Sequence, residues 1–322
     1  MNNFWQKLNK PIIASAPMSG VTDAAFRLIL AEHGKPDVMF TEFISCDGLC
    51  SDGKEKLLLQ LKYDKSEKPI VVQLFGSKPD NFYTSAKLCK ELGFDGIDIN
   101  MGCPDKSVIK QLSGSHLIRE PELASEIIEA TKKGAGDLPV SVKTRLGYTE
   151  IEESTEWITH LLNQSIATLS IHGRTKKQGY VGEVNWKKIK EAKELALEIS
   201  SETLVIGNGN VLSIAEAELI AKDNGLDGIM IGREMLLDPL VFNRKRSIKD
   251  LILEERIDLL LKHSKIFVKM YEGEKNFSEL KKFFKTYIAD FEGAKELRIE
   301  MMKINNLIEL KNILKHVQKK GE

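Results

Sequence analysis

The chain has 322 residues, 47 Lys+Arg against 47 Asp+Glu, and 42% hydrophobic with 29% charged residues. These proportions fit a folded globular protein of up to two domains, and they exclude disorder, a collagen-like repeat and a disulfide-built scaffold. No apolar run reaches the ~18 residues of a membrane span, the first ten residues lack the apolar stretch of a signal peptide, and four cysteines suit a reducing compartment. A cytoplasmic protein is therefore expected.

In chain order, short β-branched apolar runs fall at 12–17, 38–43, 70–75, 95–100, 139–144, 167–172, 203–207 and 227–232. They are nearly continuous in apolar residues, as parallel strands covered on both faces are. Helical patterns lie between them. The stretch 79–92 opens on Pro79 and is followed by Gly93, and 121–133 opens on Pro121 and is followed by Gly134. Eight such units in about 240 residues predict an α/β protein built as a (β/α)8 TIM barrel. A doubly wound sheet would place Gly-x-Gly-x-x-Gly after the first strand, and none is there.

Past Arg244 the strand signals stop. Apolar positions at helical spacing predict helices over 249–271, 276–291 and 294–320, a small all-helical domain over 244–322 after a barrel over 1–243. Phe283, Phe284, Tyr287 and Phe291 are expected to be the core of that domain rather than a base-stacking platform. The same segment carries 19 Lys+Arg against 13 Asp+Glu, which residues 1–243 offset with an acidic excess. Such a split marks either a basic surface for a polyanion or a set of solvated helices.

Barrel active sites lie at the C-terminal ends of the strands. Here those ends read Ala16-Pro17-Met18-Ser19-Gly20, Thr41-Glu42, Gln73-Leu74-Phe75-Gly76, Asn100-Met101-Gly102-Cys103-Pro104, Lys143-Thr144-Arg145, His172-Gly173-Arg174-Thr175, Asn208-Gly209-Asn210 and Gly232-Arg233. Asn208, Gly209 and Asn210, with Gly232 and Arg233, offer backbone N–H groups and a guanidinium to a phosphate. Gln73 has the donor and acceptors to match a pyrimidine-like edge, and Lys143 would stabilise negative charge that develops on reduction. Phosphate site and ring edge together suit FMN. Cys103 is either a proton donor, being mostly protonated at pH 7, or a thiolate nucleophile, for which no adjacent base is recognisable. Cys46 and Cys50 lack the second pair that a zinc site requires, so no metal is expected, and Cys89 reads as packing.

The segments 16–23, 98–104 (Asp98-Ile99-Asn100-Met101-Gly102-Cys103-Pro104), 142–147 (Val142-Lys143-Thr144-Arg145-Leu146-Gly147) and 171–175 (Ile171-His172-Gly173-Arg174-Thr175) resemble, in order, the signature segments of the tRNA-dihydrouridine synthases. The resemblance implies an FMN enzyme that reduces specific uridines of tRNA to 5,6-dihydrouridine with NADPH or NADH. By the same resemblance, Pro17, Met18 and Ser19 pack against the flavin ring, Gln73 and Lys143 meet its polar edge, and His172 sits between flavin and substrate. Asn208, Gly209, Asn210, Gly232 and Arg233 hold the phosphate. Cys103 gives the proton to the uracil, and Asn100, Arg145 and Arg174 line the pocket for the target base. The tail would bind tRNA, aided by the cationic loops at 106–110 and 174–177, and a monomer is expected.

Two positions depart from the family pattern. Asn210 stands where Asp is usual, and Ser113-Gly114-Ser115-His116 replaces a more apolar stretch after the cysteine. His116 is expected to start a helix rather than to act as a second acid. The alternative activity is an FMN barrel reductase of a free pyrimidine, such as a dihydroorotate-dehydrogenase-like enzyme. A second alternative is a tRNA-binding barrel without catalysis, against which the joint presence of Cys103, Lys143 and His172 argues.

Overall fold

The computed structural model describes residues 3–318. Its sheet has eight parallel strands: β1 (Ile12–Ser15), β2 (Met39–Ser45), β3 (Ile70–Phe75), β4 (Gly96–Met101), β5 (Val140–Arg145), β6 (Thr168–His172), β7 (Leu204–Asn208) and β8 (Gly228–Ile231). The order β1-β8-β7-β6-β5-β4-β3-β2 runs once around, and a parallel bridge between Ala14 and Val38 joins the two ends. The fold is the (β/α)8 barrel expected from the periodicity. Strand boundaries differ from expectation by one or two residues. β1 stops at Ser15, and β2 continues to Ser45 along β3.

Helices cover the outer face. Pro79 and Pro121 occupy the first turns of Pro79–Glu91 and Pro121–Ala135, where a missing N–H costs nothing. Asp23, Asn185 and Ser213 cap the N-termini of Ala24–His33, Trp186–Ile199 and Ile214–Asn224 with side-chain oxygens.

Register explains how the interior becomes polar toward the strand ends. Gln73, Asp98 and Ser141 are neighbours across β3, β4 and β5, and two residues further on Asn100 pairs with Lys143. One step beyond, Arg145, His172 and Asn208 align across β5, β6 and β7. Because strand side chains alternate in direction, a polar residue at every second position builds successive polar layers on one face.

The tail is helical, as its pattern predicted, but divided differently. The first predicted helix begins at Leu253 and runs to Tyr271, because Ile248–Asp250 forms a separate 3-10 turn in which Asp250 Oδ2 accepts from Ser247 N–H and Oγ. The second is a 3-10 segment Phe277–Phe283 followed by helix Phe284–Tyr287. The third splits into Ala294–Met301 and Leu307–Gln318, because Asn306 accepts from the N–H groups of Ile308 and Glu309 and so starts a new helix. Positions 319 and 320 of that expectation lie outside the described residues. Phe283, Phe284 and Tyr287 are fully buried and the partly buried Phe291 packs against the same hydrophobic core, so the aromatic cluster is core. This core is continuous with the barrel's: helix Leu253–Tyr271 packs on Ala24–His33, and Phe26 stacks on Phe283 at 4.8 Å. Among the described residues no helix is long and apolar enough to cross a membrane.

Candidate active site

A cavity of about 680 Å3 opens at the C-terminal ends of the strands, within the size range of small-molecule sites. Its lining includes Pro17, Met18, Gln73, Asn100, Cys103, Lys143, Arg145, His172, the loop Asn208-Gly209-Asn210, Gly232 and Arg233. With Phe43 of β2, residues from all eight strand ends thus converge on one space. Ser19 and Arg174 are outside that lining: Ser19 is exposed, and Arg174 is buried beside the cavity.

The floor is a chain of hydrogen bonds. Ser141 Oγ and Gln73 Nε2 donate to the two oxygens of Asp98 at 2.6 and 2.7 Å, and Asn100 Nδ2 donates to Gln73 Oε1 at 2.9 Å. Asp98 therefore fixes which way the Gln73 amide faces, and one Gln73 N–H remains for a ligand. Burial pushes Asp98 up to about 6, against the pull of Ser141, Gln73 and Lys143. Burial, with Arg145 adding to it, brings Lys143 down to about 8, and its ammonium reaches Asn208 Oδ1 at 3.3 Å.

Above the floor, Asn100 Oδ1 accepts from the backbone N–H groups of Gly102 (3.1 Å) and Cys103 (2.9 Å). Asn100 is thus the brace of the cysteine loop as well as a lining residue. Ser115 N–H donates to Cys103 O at 3.1 Å, and Gly114, at φ +63°, passes so close that a Cβ would lie 2.9 Å from the same oxygen. The departing segment 113–116 is therefore a support for the cysteine loop. His116 lies in the 3-10 turn Gly114–Arg119 and faces Glu120 at 3.7 Å, outside the cavity lining. Burial raises the Cys103 thiol above its ordinary value, against the Asp105 N–H and the charges of Arg145 and Lys143, which keeps it protonated at neutral pH.

Arg145 is buried. Its Nε donates to Gly102 O at 2.7 Å, and its Nη1 donates to Gly179 O at 2.8 Å, to Thr175 O at 3.2 Å and to His172 Nδ1 at 3.1 Å. A guanidinium only donates, so Nδ1 is an acceptor and the His172 proton sits on Nε2. Burial first, then Arg145, Lys143, Arg174 and Arg233, hold His172 far below its ordinary value and neutral. Arg174 staples the loop after β6 through Gly182 O (3.0 and 2.5 Å) and reaches Asn210 Oδ1 at 3.4 Å. Asn210, at φ +49°, also accepts from Arg233 Nη2 at 2.5 Å, so this amide locks both arginines around the loop after β7.

Sequence reading missed Asp98, Phe43 and Tyr180. The alternation of β4 could have found Asp98, which shares a face with Asn100. Tyr180 had no signal: it stands half exposed in a loop, 5.5 Å from the Arg145 guanidinium and 5.2 Å from that of Arg233. Of the cationic loops, Lys177 pairs with Glu150 at 3.0 Å and Lys176 lies over Tyr148, while Lys106 and Lys110 are exposed. Cys46 and Cys89 are buried, and among the described residues no cluster of three or more His, Cys, Asp or Glu could hold a metal ion.

Lys143, Arg145 and Arg233 converge on the cavity, and Glu234 is the one carboxylate among its described lining residues. A thiol raised by burial beside such a field, at the mouth of a (β/α)8 barrel, is an arrangement that can receive an anionic ligand and give up a proton. Comparison with known proteins is more specific. The family model for dihydrouridine synthase (Dus) matches residues 13–321. A protein of Bacillus subtilis (strain 168) named "Probable tRNA-dihydrouridine synthase 2" is 41% identical over 99% of this chain and 97% of its own. One of Staphylococcus aureus (strain MRSA252), named "Probable tRNA-dihydrouridine synthase", is 40% identical over 97% of this chain and 94% of its own. The chain belongs to the dihydrouridine synthase family. Among solved structures, histamine dehydrogenase from Rhizobium sp. 4-9 matches with a TM-score of 0.55 at 16% identity over 79% of this chain and 48% of that one. The old yellow enzyme homologue from Zymomonas mobilis matches with a TM-score of 0.52 at 14% identity over 74% and 90%. At these identities the likeness is one of fold.

Proposed function

We propose that this chain reduces uridines of tRNA to 5,6-dihydrouridine, using FMN and NADPH or NADH, as a cytoplasmic monomer. The observation that carries the reading is the protonated Cys103 thiol, braced by Asn100 over a floor that presents Gln73 and Lys143. FMN suits that floor and rim: its phosphate would lie at Asn208, Gly209, Asn210, Gly232 and Arg233, and its ring edge at Gln73 and Lys143. Pro17, Met18 and the Ser19 backbone would pack beside the ring. When bound, FMN supplies the hydride that C6 of uracil accepts.

The chain's own groups then carry the rest. Uracil C5=C6 is conjugated to the C4 carbonyl, so charge gathers toward C5 and O4 as C6 is reduced. Cys103 Sγ gives its proton to C5, and the thiolate left behind is reprotonated from solvent. His172, neutral with Nε2–H, donates a hydrogen bond without adding charge. Arg145 and Lys143 stabilise developing negative charge from a dry position. Arg174 acts from beside the cavity, by holding the loop that carries Tyr180. The target uridine must leave its stack to reach this depth, and the basic excess of 244–322 would hold the RNA backbone while it does.

The test is anaerobic reduction of the flavin-loaded chain by NADPH, followed by reoxidation with unmodified tRNA transcript. Reoxidation that needs the transcript, yields dihydrouridine and is lost in Cys103→Ala supports the proposal. Reoxidation by a free pyrimidine without RNA would replace it with the small-molecule reductase.

A further inference from the structure

The loop between β1 and helix Ala24–His33 supplies Pro17 and Met18 to the cavity, yet much of what holds it comes from the tail. Gly20, at φ +69°, has its N–H on Glu42 Oε1 at 2.5 Å and its carbonyl oxygen on Lys282 Nζ. The other oxygen, Glu42 Oε2, is buried without a hydrogen bond and lies 3.6 Å from Lys275 Nζ. Lys275 is also 3.8 Å from Asp23 Oδ2 and 4.3 Å from the Tyr271 ring, with a side chain only 12% exposed. The Tyr271 hydroxyl accepts from Ala24 N–H at 3.1 Å, and Asp23 caps the same helix through Phe26 N–H at 2.9 Å. Three tail side chains thus meet one loop of about eight residues. Lys275 brings a positive charge to two buried carboxylates, Asp23 and Glu42, that the barrel sets side by side.

The geometry points to Lys275 and Lys282 as positioning residues that shape the 16–23 loop for the cofactor, so that the helical tail is part of the flavin site as well as of the RNA-binding surface. This rests on the flavin reading of the cavity. The physical reason is economy of constraint. A loop with a left-handed glycine and two buried acids samples several shapes unless both peptide groups of Gly20 and both carboxylates are held. The barrel holds one side through Glu42, and the tail holds the other. A buried carboxylate pair without its cation is costly, so removing Lys275 frees Glu42 to turn toward solvent and release the Gly20 N–H.

The experiment uses the full chain with Lys275→Met and Lys282→Met, beside Lys282→Arg, which keeps a donor, and Lys269→Met, an exposed lysine of helix Leu253–Tyr271. Amide hydrogen exchange over 16–23 is read without flavin, and FMN affinity by titration of the flavin-free chain. The expected result is faster exchange of the loop and about tenfold weaker FMN binding in both Met variants, equal to about 1.4 kcal/mol. Lys282→Arg and Lys269→Met should stay near the parent in both readouts. Unchanged exchange overturns the proposal, and so does altered exchange with parental FMN affinity. A parent chain that takes up no FMN overturns the flavin reading itself and the cofactor role assigned to these lysines, whatever the exchange shows.

Discussion

Arg27 and Arg145 are both buried guanidiniums, and they are satisfied in opposite ways. Arg27, on helix Ala24–His33, pairs with the buried carboxylate of Glu67 at 2.5 Å and donates to Thr22 O and Lys62 O at 2.6 and 2.7 Å. Arg145, at the end of β5, has carbonyl oxygens and His172 Nδ1 as its hydrogen-bond partners and no carboxylate among them. The first cation is neutralised within the fold and does structural work. The second keeps its charge open to whatever enters the cavity, and its cost is met by dipoles that cannot cancel it. A buried charge left without a counter-ion marks a place where a ligand is meant to bring one.

The largest effect expected around this contrast is on chemistry. Cys103→Ala removes the proposed proton donor, whose loop Arg145 braces through Gly102 O, and dihydrouridine formation should fall by about 10²–10⁴-fold while the melting curve barely moves. A variant retaining near-parental turnover on tRNA transcript would show that another group protonates C5. Next is Arg27→Met, which strands Glu67 without its cation and should destabilise the fold by about 3–5 kcal/mol in denaturant titration. Arg145→Met should do the reverse, losing about tenfold or more in turnover for a smaller loss of stability. Equal stability losses with equal activity losses in the two arginine variants would erase the distinction between them.

A smaller effect concerns pH. His172 is held far below its ordinary value, partly by Arg145, and burial takes His263 down to about 3. Both titrate near 6.5 when unfolded, so the unfolded chain binds protons that the folded chain refuses, and stability falls as pH drops below about 6.5. Asp98, raised to about 6, has the opposite sign between about pH 6 and 4, because the folded chain then holds the extra proton. The three groups together leave a net loss of about 1.4 kcal/mol per pH unit in that window. Measuring unfolding free energy against pH checks this, and His263→Leu should flatten the slope. The smallest effect is expected for Asn210→Asp. Its Oδ1 already meets both Arg233 and Arg174, so FMN affinity should shift by no more than about threefold; a larger loss would mean that the side chain itself touches the phosphate.

Much of this was readable in one dimension. The eight apolar runs, the prolines at 79 and 121 and the polar residues at each strand end follow from local rules, because strand alternation and helix starts are properties of short segments. The same holds for Cys103, whose flanking Asn100 and Gly102 are within three residues of it. What only the tertiary structure decided are the roles that depend on neighbours distant in sequence. Asn100 turned out to brace the cysteine loop, and Asp98 to orient Gln73 across β3 and β4. Arg174 was expected in the pocket, but folding places it behind, where it clasps Gly182 and Asn210. Tyr180 entered the site with no sequence signal, carried there by a loop that Arg145 ties down. The tail's contact with Gly20 joins positions 262 residues apart. Spacing along a chain reports which face a side chain takes. Whether it then meets a carboxylate, a carbonyl or an open cavity depends on what packing brings opposite it, and that is settled only when all eight strands close.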